Sequence, residues 1–176
     1  MNAGLDADER AELTAGFSQA MAREGPAPGW LLTTRQDALH ALLEKGWPTT
    51  KQEDWRFTDV SPLTRMELLP VPVAATLPKG TFDESLLHLG RGLGHRLVFV
   101  DGRQQTGGEA GLPPLRGLVM APLSTAIRDE STQIGRVLGR QLQGFHAFAA
   151  LNTAFMTDGA FIDIPAGLVV EAPIFL

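Results

Sequence analysis

Residues 145–176 read FHAFAALNTAFMTDGAFIDIPAGLVVEAPIFL, and the change of period within this stretch decides the fold class. Aromatic and small residues first recur at helical spacing, Asp158-Gly159 breaks the pattern, and three short apolar runs follow at 160–164, 168–171 and 174–176. Alternate side chains of an extended chain face opposite ways. Ala160, Ile162 and Ile164 therefore share one face and Phe161 and Asp163 the other, while Leu168 and Val170 oppose Val169 and Glu171. The corners Pro165-Ala166-Gly167 and Ala172-Pro173 are too short for a helix. Proline gives a ladder no amide donor, so the chain must bend there. A helix that feeds three short strands with tight corners predicts one coil of a β-solenoid. A lone coil bonds to coils above and below it rather than to itself. The reading therefore expects further coils after Leu176, and predicts unpaired edges, with self-association or disorder, where they are missing.

A chain of 176 residues is long enough for a buried core and sets a prior of one domain, or one domain and part of another. Its 44% hydrophobic and 20% charged residues describe a globular chain, and its 19 glycines and 12 prolines promise many turns. A net charge of -5 and the lack of a basic run argue against a nucleic-acid surface, which needs clustered Lys and Arg to displace counterions. Cysteine is absent from the sequence, which excludes disulfides and thiolate ligands from these residues. The N-terminal MNAGLDADERAEL lacks a basic region and an apolar core, and no apolar window approaches the roughly 20 residues that span a bilayer. A cytoplasmic protein without membrane contact is the expectation.

Residues 6–23 place Leu13, Phe17 and Met21 on one helical stripe, with Asp6, Asp8 and Glu9 at the end where the helix dipole favours acids. Gly25-Pro26-Ala27-Pro28-Gly29 stops that helix. Thr33 or Thr34 is expected to cap a second helix over 35–45, with Ala38, Leu39, Leu42 and Leu43 inward and Gly46 as its terminator, and the two helices are expected to pack together. Prolines make 70–79 an extended linker, and 84–89 reads as one helical turn. Residues 96–100 read as a strand entering an Asp101-Gly102 hairpin, and 118–123 as a second strand able to pair with the first. A short helix over 124–130 and a longer one over 133–152 complete the reading, the latter weakened by Gly135, Gly139 and Gly144. The one domain boundary falls near Asp158, between a mainly helical domain at 1–157 and the start of the solenoid at 158–176.

Few residues invite chemistry. His88, His95 and the intervening Gly90-Arg91-Gly92-Leu93-Gly94 suggest a phosphate or metal loop, but the glycines fit neither the dinucleotide fingerprint nor the P-loop, and a flexible surface loop is the simpler reading. Lys79-Gly80-Thr81 inverts the Gly-Lys order of a P-loop. His40 and His146 read as surface or structural histidines, Asp158 as a turn former, and Asp163 and Glu171 as strand residues without a partner. The densest cluster is Lys51, Glu53, Asp54, Trp55 and Arg56. A tryptophan between opposite charges resembles a binding hot spot. The structural reading, which we favour, has Glu53 or Asp54 accepting from Arg56 or from helix amides while Trp55 and Phe57 fill the core.

Three stretches carry a family resemblance. Residues 48–59 (PTTKQEDWRFTD), 97–102 (LVFVDG) and 150–160 (ALNTAFMTDGA) resemble, in that order, the N-terminal half of the SufD branch of the SufB/SufD family of iron–sulfur cluster assembly scaffolds. The Leu151-Asn152-Thr153-Ala154-Phe155 signature and the hairpin before it favour that branch over SufB. The resemblance covers essentially the whole chain. It implies an α+β architecture: an N-terminal helical domain with a small hairpin element, leading into the first coil of a right-handed parallel β-helix. It implies SufB and the SufC ATPase as partners, with ATP acting through SufC and the iron–sulfur cluster handled by the complex. The family's cluster-handling positions lie beyond Leu176, so no catalytic, cofactor or metal residue is carried over. Lys51, Glu53, Asp54, Trp55, Arg56, Asn152, Phe155, Asp158 and Gly159 match the family motif and are expected to be structural. The role implied for this segment is a cap that covers the first coil. Two other readings compete with this scaffold, which is not an enzyme: a solenoid transferase with a pocket containing His88, His95 or Asp54, and a helical interaction domain that binds through Trp55.

Overall fold

The computed structural model describes residues 4–66, 85, 90–100, 102–104, 112–129, 134–140 and 144–176. In chain order these form α1 (Ala7–Glu24), α2 (Gly29–Lys45), a 3-10 turn (Glu53–Trp55), α3 (Ser61–Thr64), β1 (His95–Arg96), β2 (Phe99–Val100), β3 (Arg103–Gln104), β4 (Val119–Pro122), α4 (Leu123–Arg128), α5 (Ile134–Val137), α6 (Ala147–Phe155), β5 (Ala160–Asp163) and β6 (Ile174–Phe175). Helices and small sheets coexist, as an α+β chain requires. Two compact units result, Met1–Val73 with Gly135–Met156 and Ala74–Ile134 with Thr157–Leu176. The expected linker at 70–79 and helical turn at 84–89 fall almost wholly outside the described residues.

In the first unit, α1 opens on a capping box. The Asp6 carboxylate accepts from the Glu9 amide at 2.8 Å and the Glu9 carboxylate from the Asp6 amide at 2.9 Å, an arrangement worth about 1 kcal/mol. Helix α2 starts directly after Pro28 rather than at residue 35. Thr33 and Thr34 do not cap it; their hydroxyls donate to the carbonyls of Gly29 at 3.1 Å and Trp30 at 2.8 Å, four residues back. Gly46 ends α2 as expected, at φ 69, with its amide on the Leu42 carbonyl. Leu42, Leu5, Trp47 and Ala147 form one buried cluster and Phe17, Leu39 and Ala154 another, so α1 and α2 meet through side chains, with α6 contributing to both. Each large apolar side chain buried this way contributes roughly 1.5–3 kcal/mol. The helix expected over 133–152 is two helices, because Gly139 at φ 73 and Gly144 at φ 79 take left-handed conformations between α5 and α6.

In the second unit, β2 and β3 form the expected hairpin, with Val100 opposite Arg103 and Gly102 at φ 74. Residues 96–100 are not one strand: His95–Arg96 belongs to β1, and Phe99–Val100 to the hairpin. The 118–123 run yields β4, which pairs antiparallel with β5 from Val119↔Asp163 to Pro122↔Ala160, and not with 96–100. The Pro165 corner forms as read, the Leu168 amide donating to the Pro165 carbonyl at 3.1 Å with Gly167 at φ 84. The 168–171 run is not a strand despite its alternation. Strand β6 pairs parallel with β1, and the amides of His95 and Leu97 donate to the carbonyls of Pro173 and Phe175. The two strands after Asp158 therefore find partners upstream in the chain, where the sequence reading placed three sides of a lone coil.

Candidate functional site

The 48–59 motif folds as a string of tight turns. The amides of Trp55, Arg56 and Thr58 donate to carbonyls three residues back, at 2.9–3.3 Å. A 3-10 turn has three residues per turn, so side chains two positions apart cannot share a face. Trp55 takes the inward position, its ring centroid 5.6 Å from Phe148 of α6, and Trp47 lies at the same distance from Phe148. Phe57 then points outward and is 89% exposed, which corrects the expectation that it fills the core. The Arg56 guanidinium lies 4.6 Å from its ring centroid. Arg56 also lies 3.6 Å from Glu53, an exposed ion pair longer than a hydrogen bond, while Lys51 and Asp54 are exposed. The Asp59 carboxylate accepts from the Ser61 amide at 2.9 Å and hydroxyl at 3.0 Å. These two donors, the amide foremost, hold its carboxyl below the usual carboxylate range, with Arg65 assisting.

On α6, Asn152 is exposed and Phe155 meets Phe17 of α1 edge to face, at 6.1 Å and 85°. The structure thus brings Trp55 onto the helix that carries Asn152 and Phe155. Asp158 and Gly159 do different work in the second unit. The Asp158 carboxylate accepts from the Ser124 amide at 3.0 Å, at the start of α4, and more distantly from the Gln104 amide at 3.5 Å. The Gly159 carbonyl accepts from Leu123 at 2.7 Å. Together they fasten the start of β5 to the start of α4.

Sequence reading missed Arg35. It is 3% exposed, pairs with Glu24 at 2.7 Å, donates to the Met156 carbonyl and approaches the Met21 sulfur at 3.5 Å, while its Nε is buried without a partner. The available signal was its spacing: Leu31, Arg35, Leu39 and Leu42 are the buried residues of α2, on one face.

The histidine-flanked glycines have a packing role. A Cβ on Gly94 would meet the Pro173 carbonyl oxygen at 2.1 Å, and one on Gly90, at φ 70, would meet the Phe175 ring at 2.7 Å. Glycine lets this segment lie against β6. His95 is buried in β1, whereas His88 and Lys79-Gly80-Thr81 lie outside the described residues. His40 is exposed, 3.7 Å from Glu44, and His146 is exposed at the start of α6. Asp54 belongs to the first unit and His95 to the second. Asp163 is half-buried in β5, and Glu171 is exposed. Among the described residues no group of three or more His, Asp or Glu side chains could hold a metal ion, and no helix is long and apolar enough to cross a membrane.

No protein-family model matches the chain. It is 29% identical over 167 residues, 94% of its length, to an iron–sulfur cluster assembly SufBD family protein of Synechocystis sp.. The chain spans 36% of that relative's length. This similarity, which covers nearly the whole chain, supports the SufB/SufD family as a whole without separating its two branches.

Proposed function

We propose that this chain belongs to a non-catalytic scaffold subunit of a SufBCD-type iron–sulfur cluster assembly complex, on the SufD side, with SufB and the SufC ATPase as partners. The observation that carries the proposal is the 29% identity to a SufBD protein along 94% of the chain. The cluster is cargo rather than a resident cofactor of these residues. Iron–sulfur clusters are held mainly by thiolates, and the chain has no cysteine, so ligands for the cargo must come from other residues of the complex. In this reading the helical part caps the first coil of a right-handed parallel β-helix, and Lys51, Glu53, Asp54, Trp55, Arg56, Asn152, Phe155, Asp158 and Gly159 hold the cap and its exit segment in shape. The Trp55–Phe148 contact and the Asp158–Ser124 bond support those structural roles.

Depletion of the protein from its own cell tests the proposal. Iron–sulfur enzymes should lose activity while their polypeptide levels hold, and re-expression should restore them. Unchanged iron–sulfur enzyme activity after depletion would overturn it. A second reading, docking of a protein on the Trp55 segment, is favoured by one observation, the outward Phe57 beneath Arg56. Weakened partner binding by Phe57→Ala, with the fold intact, would support it.

A further inference from the structure

Gly16 lies in the interior of α1, where glycine lowers helix stability relative to alanine. Neither conformation nor packing within the first unit calls for it. The residue is helical, and a Cβ built on it would meet only the Phe155 ring edge, at 3.9 Å, an ordinary contact distance. Gly16 forms part of the wall of a groove. Leu13, Trp47, Met66 and Phe155 line it beside Gly16, around a volume of about 200 Å³. That is below the roughly 300–1,000 Å³ of typical small-molecule pockets, and it suits a single large side chain of a peptide. Both charged residues on the groove wall, Glu9 and Glu12, are acidic. Glu9 is engaged in the α1 capping box, whereas Glu12 is exposed and makes no ion pair among the described residues.

We propose that this groove is a docking site for a basic segment of a partner protein, one that places an apolar side chain over Gly16 and a Lys or Arg beside Glu12. The apolar floor supplies affinity through burial, and the acidic wall selects the charge of the segment that enters. Nothing in this surface depends on the assembly function proposed above, so either can fail without the other.

The test is peptide selection on the intact protein as its gene encodes it, with a displayed random-peptide library, counter-selected against Gly16→Trp, which fills the groove. Sequences retained by the wild type and lost on the variant should carry Leu, Ile or Phe within four positions of Lys or Arg. Because Gly16→Trp could perturb α1, Glu12→Lys provides the second arm. A selected peptide should bind this variant about tenfold more weakly, the scale of one interfacial charge pair, and its Lys→Glu counterpart should recover that loss. Circular dichroism should show Glu12→Lys folded. Selection of peptides without basic residues, selection indifferent to Gly16→Trp, or absence of the charge-swap recovery would each overturn the proposal.

Discussion

Arg35 of α2 donates to the carbonyl oxygen of Met156, the residue that ends α6, and the same nitrogen pairs with Glu24 in the last turn of α1. One buried cation therefore holds the ends of two helices from the middle of a third. Removing one partner of a buried pair leaves the other charge uncompensated, which costs about 3–5 kcal/mol. Arg35→Leu should lower the free energy of unfolding in urea by about that much, and Glu24→Leu added to it should restore part of the loss. An unchanged urea midpoint in Arg35→Leu would rule out this clamp.

Asp158 acts as a cap for α4 although it lies 34 residues away in sequence. Asp158→Ala leaves the Ser124 amide without its acceptor and should destabilise the protein by about 1 kcal/mol, the usual magnitude for a lost helix cap. Asp158→Asn keeps a carbonyl oxygen at the same place and should cost less. Thermal unfolding of the two variants gives the comparison, and equal effects would contradict the capping role.

The two aromatic residues of the 48–59 motif should separate in a stability assay. Trp55 is packed against Phe148, so Trp55→Ala removes a packed aromatic, and losses on the order of 3 kcal/mol are usual for such truncations at full burial. Its half-exposed position sets that figure as the upper bound. Phe57 is exposed, so Phe57→Ala should fall within about 0.5 kcal/mol of the wild type. Chemical denaturation of both variants checks the ordering.

Asp59 should titrate below an ordinary aspartate, since the Ser61 amide and hydroxyl both donate to its ionised form. A carboxyl depressed in the folded state adds stability above its unfolded pKa, and that contribution is lost as pH falls through the folded value. Carbon-13 NMR of the side-chain carboxyl should therefore show a midpoint that rises in Ser61→Ala. The amide bond survives in that variant, so the midpoint should stay short of the ordinary value. No change on losing the hydroxyl would contradict the assignment.

Local rules written into few residues were legible from sequence. Asp6, Asp8 and Glu9 mark a helix start, Gly46 a helix end and Asp101-Gly102 a hairpin, because each needs only its neighbours. Where a side chain chooses between local options, the pattern misleads. Thr33 and Thr34 look like caps but bond four residues back inside α2, and Pro28 starts the helix through backbone geometry alone. Strand partners were the least accessible. The alternation at 160–164 predicts extended backbone, yet nothing local to it names Val119–Pro122 as its neighbour. At the candidate site, Trp55 packs on Phe148 while staying partly exposed and Phe57 points outward, because the tight turn admits one inward aromatic. Arg35 was overlooked because charge argues against burial until a partner such as Glu24 is known.

Co-purification with tagged SufB and SufC from the same cell tests the scaffold assignment most directly, using the protein as its gene encodes it. The account predicts that the protein is retained in stoichiometric amounts with both partners and remains bound at moderate salt. Recovery of a SufB–SufC complex from which this protein is absent would contradict it.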